Sequence, residues 1–108
     1  MGDSLTAGFG LEDPQLAYPA LLGQELRHSG IEAEIVNGGI SGDTTAGGLR
    51  RVRWLLAKGA DIVVVALGAN DGLRGLDPEQ TKRNLNEIFA NIRQLAPEAK
   101  LFLAGMLV

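Results

Sequence analysis

Three short segments of the chain hold residues that could carry out acyl-transfer chemistry. The first is Gly2-Asp3-Ser4-Leu5-Thr6-Ala7-Gly8, in which a serine between turn-forming residues can present its hydroxyl and its backbone N–H to one point. The spacing is not Gly-x-Ser-x-Gly, so this segment is not the nucleophile elbow of the α/β-hydrolases. Taken alone, Ser4 is more typical of a helix or turn cap than of a nucleophile.

The other two segments contain candidate donors for a negatively charged oxygen. In Asn37-Gly38-Gly39-Ile40-Ser41-Gly42-Asp43-Thr44, the backbone N–H of Gly42 can approach a ligand closely, because glycine has no Cβ. A plain strand-to-helix turn explains the same residues more simply. In Gly68-Ala69-Asn70-Asp71, the Asn70 side chain can donate an N–H to an oxyanion without adding a charge. The alternative is a polar turn, which Asn and Asp favour.

The elements that would position these segments alternate between helical and strand periodicity, which is typical of an α/β domain with a mostly parallel sheet. Helices are predicted over 19–29, from Thr44 or Thr45 to just before Gly59, and over 77–96; strands over 33–37, 61–67 and 100–108; and loops over 1–16 and 68–76. In open α/β sheets, ligands bind outside the carboxyl ends of the strands. All three segments can therefore converge on one site.

Finer features of these elements are also predicted. The β-branched run over 61–67 predicts a strand covered on both faces, and 100–108 is predicted to be a second buried strand. Asp77 is predicted to cap its helix in a capping box with Gln80. Arg50, Arg51 and Arg53 are predicted to form a solvated helix face. The predicted apolar helix faces are Tyr18, Leu21, Leu22 and Leu26; then Leu49, Val52 and Leu56; then Leu85, Ile88, Phe89, Ile92 and Leu95.

Together, Gly-Asp-Ser-Leu, Gly-Gly-Ile-Ser-Gly-Asp-Thr and Gly-Ala-Asn-Asp-Gly-Leu-Arg-Gly, in this order and spacing, closely resemble the SGNH (GDSL) hydrolases. The nearest likeness is to their bacterial arylesterase, acyl-thioesterase and lysophospholipase subgroup, and it runs along essentially the whole chain. The resemblance implies a three-layer, flavodoxin-like α/β fold with a parallel sheet. It also implies that Ser4 is the nucleophile, and that an oxyanion hole is formed by the backbone N–H groups of Ser4 and Gly42 and by the Asn70 side chain. Asp3 matches a mostly structural residue.

The chain departs from the family pattern at its ends. The family's fourth block, an Asp-x-x-His that supplies the general base and its orienting carboxylate, does not occur in the sequence. The single histidine, His28, is predicted at a helix end that points away from the site, and is not expected to be catalytic. Residues 1–108 are therefore expected to form a partial, incomplete SGNH domain without the first strand, and to be inactive or nearly so.

The resemblance implies that the missing strand would lie between the second and third strands. Without it, the edges at 35–36 and 63–65 are expected to be prone to aggregation.

The resemblance implies a hydrolase of small-molecule carboxylic esters or thioesters that forms an acyl-enzyme and needs no metal or organic cofactor. Two alternatives are a carbohydrate deacetylase of the same family and a non-catalytic flavodoxin-like module that binds a phosphate or nucleotide. The chain contains neither Gly-x-x-x-x-Gly-Lys-Ser/Thr nor Gly-x-Gly-x-x-Gly, which weakens the second alternative.

A net charge of −3 argues against a nucleic-acid partner. No apolar run is long enough to predict a membrane span, and the absence of cysteine excludes disulfides and cysteine nucleophiles.

Overall fold

The computed structural model describes residues 1–8, 11, 17–30 and 35–104. Within these residues, seven elements follow one another: α1 (Ser4–Ala7), α2 (Tyr18–His28), α3 (Thr45–Leu55), β1 (Ile62–Val65), α4 (Ala69–Leu73), α5 (Pro78–Leu95) and β2 (Lys100–Leu103). Helices connect the two parallel strands, which confirms the predicted α/β class. Among the described helices, none combines the length and apolar character needed to cross a membrane.

The sheet is parallel. Strands β1 and β2 pair in register, from Ile62 opposite Lys100 to Val65 opposite Leu103. On the other side of β1, Gly2 forms parallel bridges with both Ala66 and Gly39. The N-terminal residues therefore lie between β1 and the 38–40 segment, which is the position expected for the first strand of the family.

The hydrophobic core lies between the sheet and helices α3 and α5. Val52 from α3, together with Ile88 and Ile92 from α5, is buried to 1% exposure or less. Among the described residues, the buried cluster is Val52, Leu56, Val63, Val65, Leu67, Ile88 and Ile92, with Leu49, Leu85, Phe89 and Leu95 packed partly buried against it. The predicted apolar faces of α3 and α5 are thus confirmed.

Helix ends follow the predicted signals with one exception. The Thr44 hydroxyl accepts from the Gly47 N–H at 3.3 Å, which caps α3, and Asp77 caps α5 by accepting from the Glu79 N–H at 3.0 Å. The predicted capping box is wrong, because the Gln80 side-chain oxygen accepts from the Arg83 guanidinium at 3.1 Å and the Gln80 side-chain nitrogen donates to Asn84 at 3.0 Å. Helix α5 ends at Leu95, two residues before Pro97, as predicted.

Two predicted loops contain short helices. Helix α1 lies within the predicted 1–16 loop, whose residues 9–10 and 12–16 are outside the described part of the chain. Helix α4 lies within the predicted 68–76 loop. Residues 35–37 are not in a strand, and 31–34, which include the start of that predicted strand, are outside the described residues.

Three predictions of burial are wrong for the described residues. Strand β1 is covered on one face only: Val63 and Val65 are buried, whereas Ile62 is 62% exposed and Val64 is also exposed. Strand β2 is not buried, since Phe102 is 54% exposed, and residues 105–108 of the predicted strand are outside the described residues. Tyr18, Leu21 and Leu22, predicted to form the apolar face of α2, are exposed as well. Helix α2 instead approaches Ile35 through the buried Gly23.

Candidate active site

The candidate nucleophile opens the first helix of the chain. Ser4 is the first residue of α1 and follows directly on Gly2 and the buried Asp3. The backbone of Gly2 forms two hydrogen bonds with the 38–40 segment: its N–H donates to the Gly38 carbonyl at 3.2 Å and its carbonyl accepts from the Ile40 N–H at 3.1 Å. Ser4 therefore comes two residues after a point that is hydrogen bonded to the second segment.

Helix α1 also lies directly against this second segment. A Cβ on Gly39 would lie 2.4 Å from the Ala7 nitrogen, so only glycine allows the backbones to come this close. The Asn37 side chain donates to the Thr6 carbonyl at 2.8 Å and accepts from the Gly39 N–H at 2.9 Å. These contacts bring the Ser4 segment and the Gly42 segment together, as the sequence predicts.

Gly42 lies in a tight turn in which the Asp43 N–H donates to the Ile40 carbonyl at 3.1 Å. Its φ of 76° is in the left-handed region that favours glycine at this position of a turn. The Gly42 carbonyl accepts from the Arg74 guanidinium at 2.7 Å. The backbone around the predicted oxyanion donor is therefore held by contacts on both sides of it.

Asn70 reaches the second segment from α4. Its side-chain N–H donates to the Asp43 carbonyl at 2.9 Å, one residue beyond Gly42. A carboxamide carries two N–H donors, so this bond orients the group and leaves a second N–H for a ligand. The structure thus places Asn70 beside the Gly42 turn and links the second and third predicted segments.

A buried polar network fixes α4 against helices α3 and α5. The Asp71 carboxylate, 3% exposed, accepts from the Thr45 N–H at 2.8 Å, from the Thr45 hydroxyl at 2.6 Å and from the Thr81 hydroxyl at 3.1 Å. The Asn84 side chain in turn donates to the Thr45 hydroxyl at 3.1 Å. The residue next to Asn70 is thereby bonded to the start of α3 and to α5.

Arg51 differs from the two arginines beside it. Arg50 and Arg53 are exposed as predicted, but the Arg51 side chain is only 14% exposed and forms an ion pair of 2.7 Å with Asp43, which is 11% exposed. Arg51 also donates to the carbonyls of Gly2 and Gly38.

Sequence reasoning missed both Arg51 and Asp71. One signal for the Arg51–Asp43 pair was available, because α3 contains two consecutive glycines, Gly47 and Gly48. Each glycine destabilises a helix by about 1 kcal/mol relative to alanine, so their presence needs a structural reason. The structure supplies the reason at Gly47, where a Cβ would lie 1.7 Å from an Asp43 carboxylate oxygen. Asp71 carried no comparable signal, because Asn-Asp-Gly is also an ordinary turn sequence.

His28 is far along α2 from the part of that helix that contacts the site region. The Tyr18 hydroxyl, at the first residue of α2, lies 2.7 Å from the Thr6 hydroxyl in α1. His28 is the last residue of α2, ten positions further on, or roughly 15 Å along the helix axis. His28 is therefore separated from the end of α2 that contacts α1, and its lack of a catalytic role stays a prediction. Within the described residues, no group of three or more His, Asp or Glu side chains could hold a metal ion.

The fold is that of the SGNH hydrolases. A crystal structure of TesA superimposes with a TM-score of 0.92 at 42% identity, covering 99% of this chain and 58% of that one. The chain belongs to the GDSL-like lipase/acylhydrolase family, whose model matches residues 1–108.

Named relatives agree with this assignment. The chain is 44% identical over 107 residues to the esterase TesA of Pseudomonas aeruginosa, covering 98% of this chain and 52% of that protein. It is 39% identical over 102 residues to thioesterase 1/protease 1/lysophospholipase L1 of Escherichia coli K12, covering 94% of this chain and 47% of that protein. The chain thus spans about half the length of the curated relatives it matches.

Proposed function

We propose that the protein hydrolyses small-molecule carboxylic esters or thioesters through an acyl-enzyme on Ser4. The observation that carries the proposal is the convergence of the three segments: α1 lies against Gly39, and Asn70 bonds to the residue after Gly42. The names of relatives near 40% identity, an esterase and a thioesterase, favour this chemistry over a deacetylase or a binding module.

In the proposed reaction, the Ser4 hydroxyl attacks the acyl carbonyl carbon and gives its proton to a general base. The carbonyl oxygen becomes an oxyanion, which accepts hydrogen bonds from the N–H groups of Ser4 and Gly42 and from the second N–H of Asn70. Collapse of this intermediate expels the alcohol or thiol, which takes the proton back from the base. Water then attacks the acyl-enzyme in the same way and releases the carboxylic acid.

The general base is proposed to be a histidine outside residues 1–108. A serine hydroxyl is a weak nucleophile without an adjacent base, and the one histidine in the sequence is His28, whose place at the end of α2 does not suit this role. We therefore expect residues 1–108 alone to show little or no turnover. The complete protein that contains them is the form in which activity is to be measured.

The test uses the complete protein with p-nitrophenyl esters, an acyl-CoA thioester and a fluorophosphonate that labels activated serines. Ser4→Ala is expected to reduce kcat by at least about 10⁴-fold, because the covalent step is lost. The label is expected on Ser4, and not on the other two serines of residues 1–108, Ser29 and Ser41. Ser29→Ala, an exposed serine after α2, is the matched control. Full turnover by Ser4→Ala, or labelling at another serine, would overturn the proposal.

A further inference from the structure

One charged side chain connects the segment before Ser4 to the turn that contains Gly42. Arg51 donates through Nε and a terminal nitrogen to Asp43, at 2.8 and 2.7 Å. The same guanidinium donates to the Gly2 carbonyl at 2.9 Å and to the Gly38 carbonyl. A single group thus bonds to the backbone two residues before Ser4 and to the residue directly after Gly42.

The shape of the guanidinium makes this arrangement specific to arginine. Its planar fork presents five N–H donors in fixed directions, so it can bind a carboxylate and two carbonyls at once. A lysine ammonium would supply the same charge from a single point and could not span all three acceptors. Low exposure of both Arg51 and Asp43 limits the screening of their attraction by water.

Asp43 transmits this anchoring to the turn. Its carboxylate also accepts from the Thr44 N–H at 3.0 Å, and its own N–H closes the turn onto the Ile40 carbonyl. The direction of the Gly42 N–H therefore depends on where the Asp43 carboxylate is held. Arg51 holds it, and at the same time fixes the Gly2 carbonyl.

We propose that Arg51 is a positioning residue that sets the Gly42 N–H relative to Ser4 through these backbone contacts. It acts without touching the substrate, and this inference rests on the function proposed above. Since a displacement of about 1 Å in a reacting group can reduce a rate about 10²-fold, Arg51→Lys is expected to reduce kcat by about that factor. KM is expected to change little, because the contacts affected are made in the transition state.

The test compares the complete protein with its Arg51→Lys, Arg51→Ala and Arg50→Ala variants. Arg50 is the matched control, because it is the adjacent arginine of α3 and is exposed. Each kcat is divided by the fraction of sites that a fluorophosphonate titrates, so that misfolded protein does not count. Guanidinium chloride at millimolar concentration is added to Arg51→Ala and is expected to restore part of the kcat, but not to affect Arg50→Ala.

A second measurement does not depend on activity. Hydrogen exchange of the Asp43 N–H reports closure of the turn onto Ile40, and is expected to be faster in Arg51→Lys than in Arg50→Ala. An unchanged kcat per titrated site in Arg51→Lys, or unchanged exchange at Asp43, overturns the inference. If the parent protein hydrolyses no ester and takes no label, the proposed function fails, and the exchange result alone decides whether Arg51 sets the turn.

Discussion

At the scale of single residues, the candidate oxyanion hole depends on neutral donors whose orientation is set by neighbouring backbone. Asn70 illustrates this, because the N–H that it gives to the Asp43 carbonyl fixes the direction of its other N–H. Asn70→Asp has the same size but can only accept when ionised, so it loses both donors and adds a negative charge. We expect kcat to fall by about 10²–10³-fold, the loss seen when one oxyanion donor is removed elsewhere.

Steady-state kinetics on esters in the complete protein measures this effect. Asn86→Asp, an exposed asparagine on α5, makes the same chemical change away from the site and is expected to keep the parent kcat. Equal activity of Asn70→Asp and Asn86→Asp would exclude Asn70 from the oxyanion hole.

Single residues also show where sequence reasoning stopped. The sequence predicts the convergence of Ser4, Gly42 and Asn70 for two reasons. Each motif is contained in a short segment, and ligands bind at the carboxyl ends of the strands of an open α/β sheet. The sequence does not separate Arg51 from Arg50 and Arg53, because all three are arginines within four positions of one helix. The difference is about 100° of rotation on one helix, and it matters only because Asp43 and the Gly2 carbonyl lie on that side.

At the scale of elements, α4 is the clearest case in which tertiary contacts override local preference. Asn, Asp and Gly compete with or weaken a helix, so the segment from Gly68 to Leu76 predicts a loop. The structure nevertheless has a helix over Ala69–Leu73, whose Asp71 carboxylate accepts from Thr45 and Thr81 on two other helices. By contrast, the caps of α3 and α5 and their apolar faces were predicted, because those signals are contained in each helix.

Asp71→Ala tests whether this network holds α4. The change leaves the Thr45 N–H and the two threonine hydroxyls without their buried acceptor, which is expected to lower the free energy of unfolding by about 2–4 kcal/mol. Urea unfolding monitored by circular dichroism measures it. Asp61→Ala removes an exposed aspartate and is expected to have little effect. A similarly small effect of Asp71→Ala would mean that α4 does not need the network.

At the scale of the whole molecule, the two faces of the sheet differ in their environment. One face packs on α3 and α5 through Val63 and Val65, while the opposite face presents Ile62, Val64 and Phe102. The prediction of a doubly covered sheet came from the unbroken β-branched run in β1. Such a run records which residues suit a strand, but it does not say what lies over each face.

The exposed face predicts self-association of residues 1–108. Val64 and Phe102 are register partners on adjacent strands, so their side chains form one continuous apolar surface. Replacing both with threonine keeps a good strand former and removes apolar area. The double variant is expected to raise the monomer fraction in sedimentation velocity and to bind less of a dye that reports exposed apolar surface, with little change in melting temperature.

Val63→Thr, on the buried face, is instead expected to destabilise the fold by about 1–3 kcal/mol, because its hydroxyl enters the core. If the double variant were as destabilised as Val63→Thr, the Val64–Phe102 face would have to be packed in the folded chain.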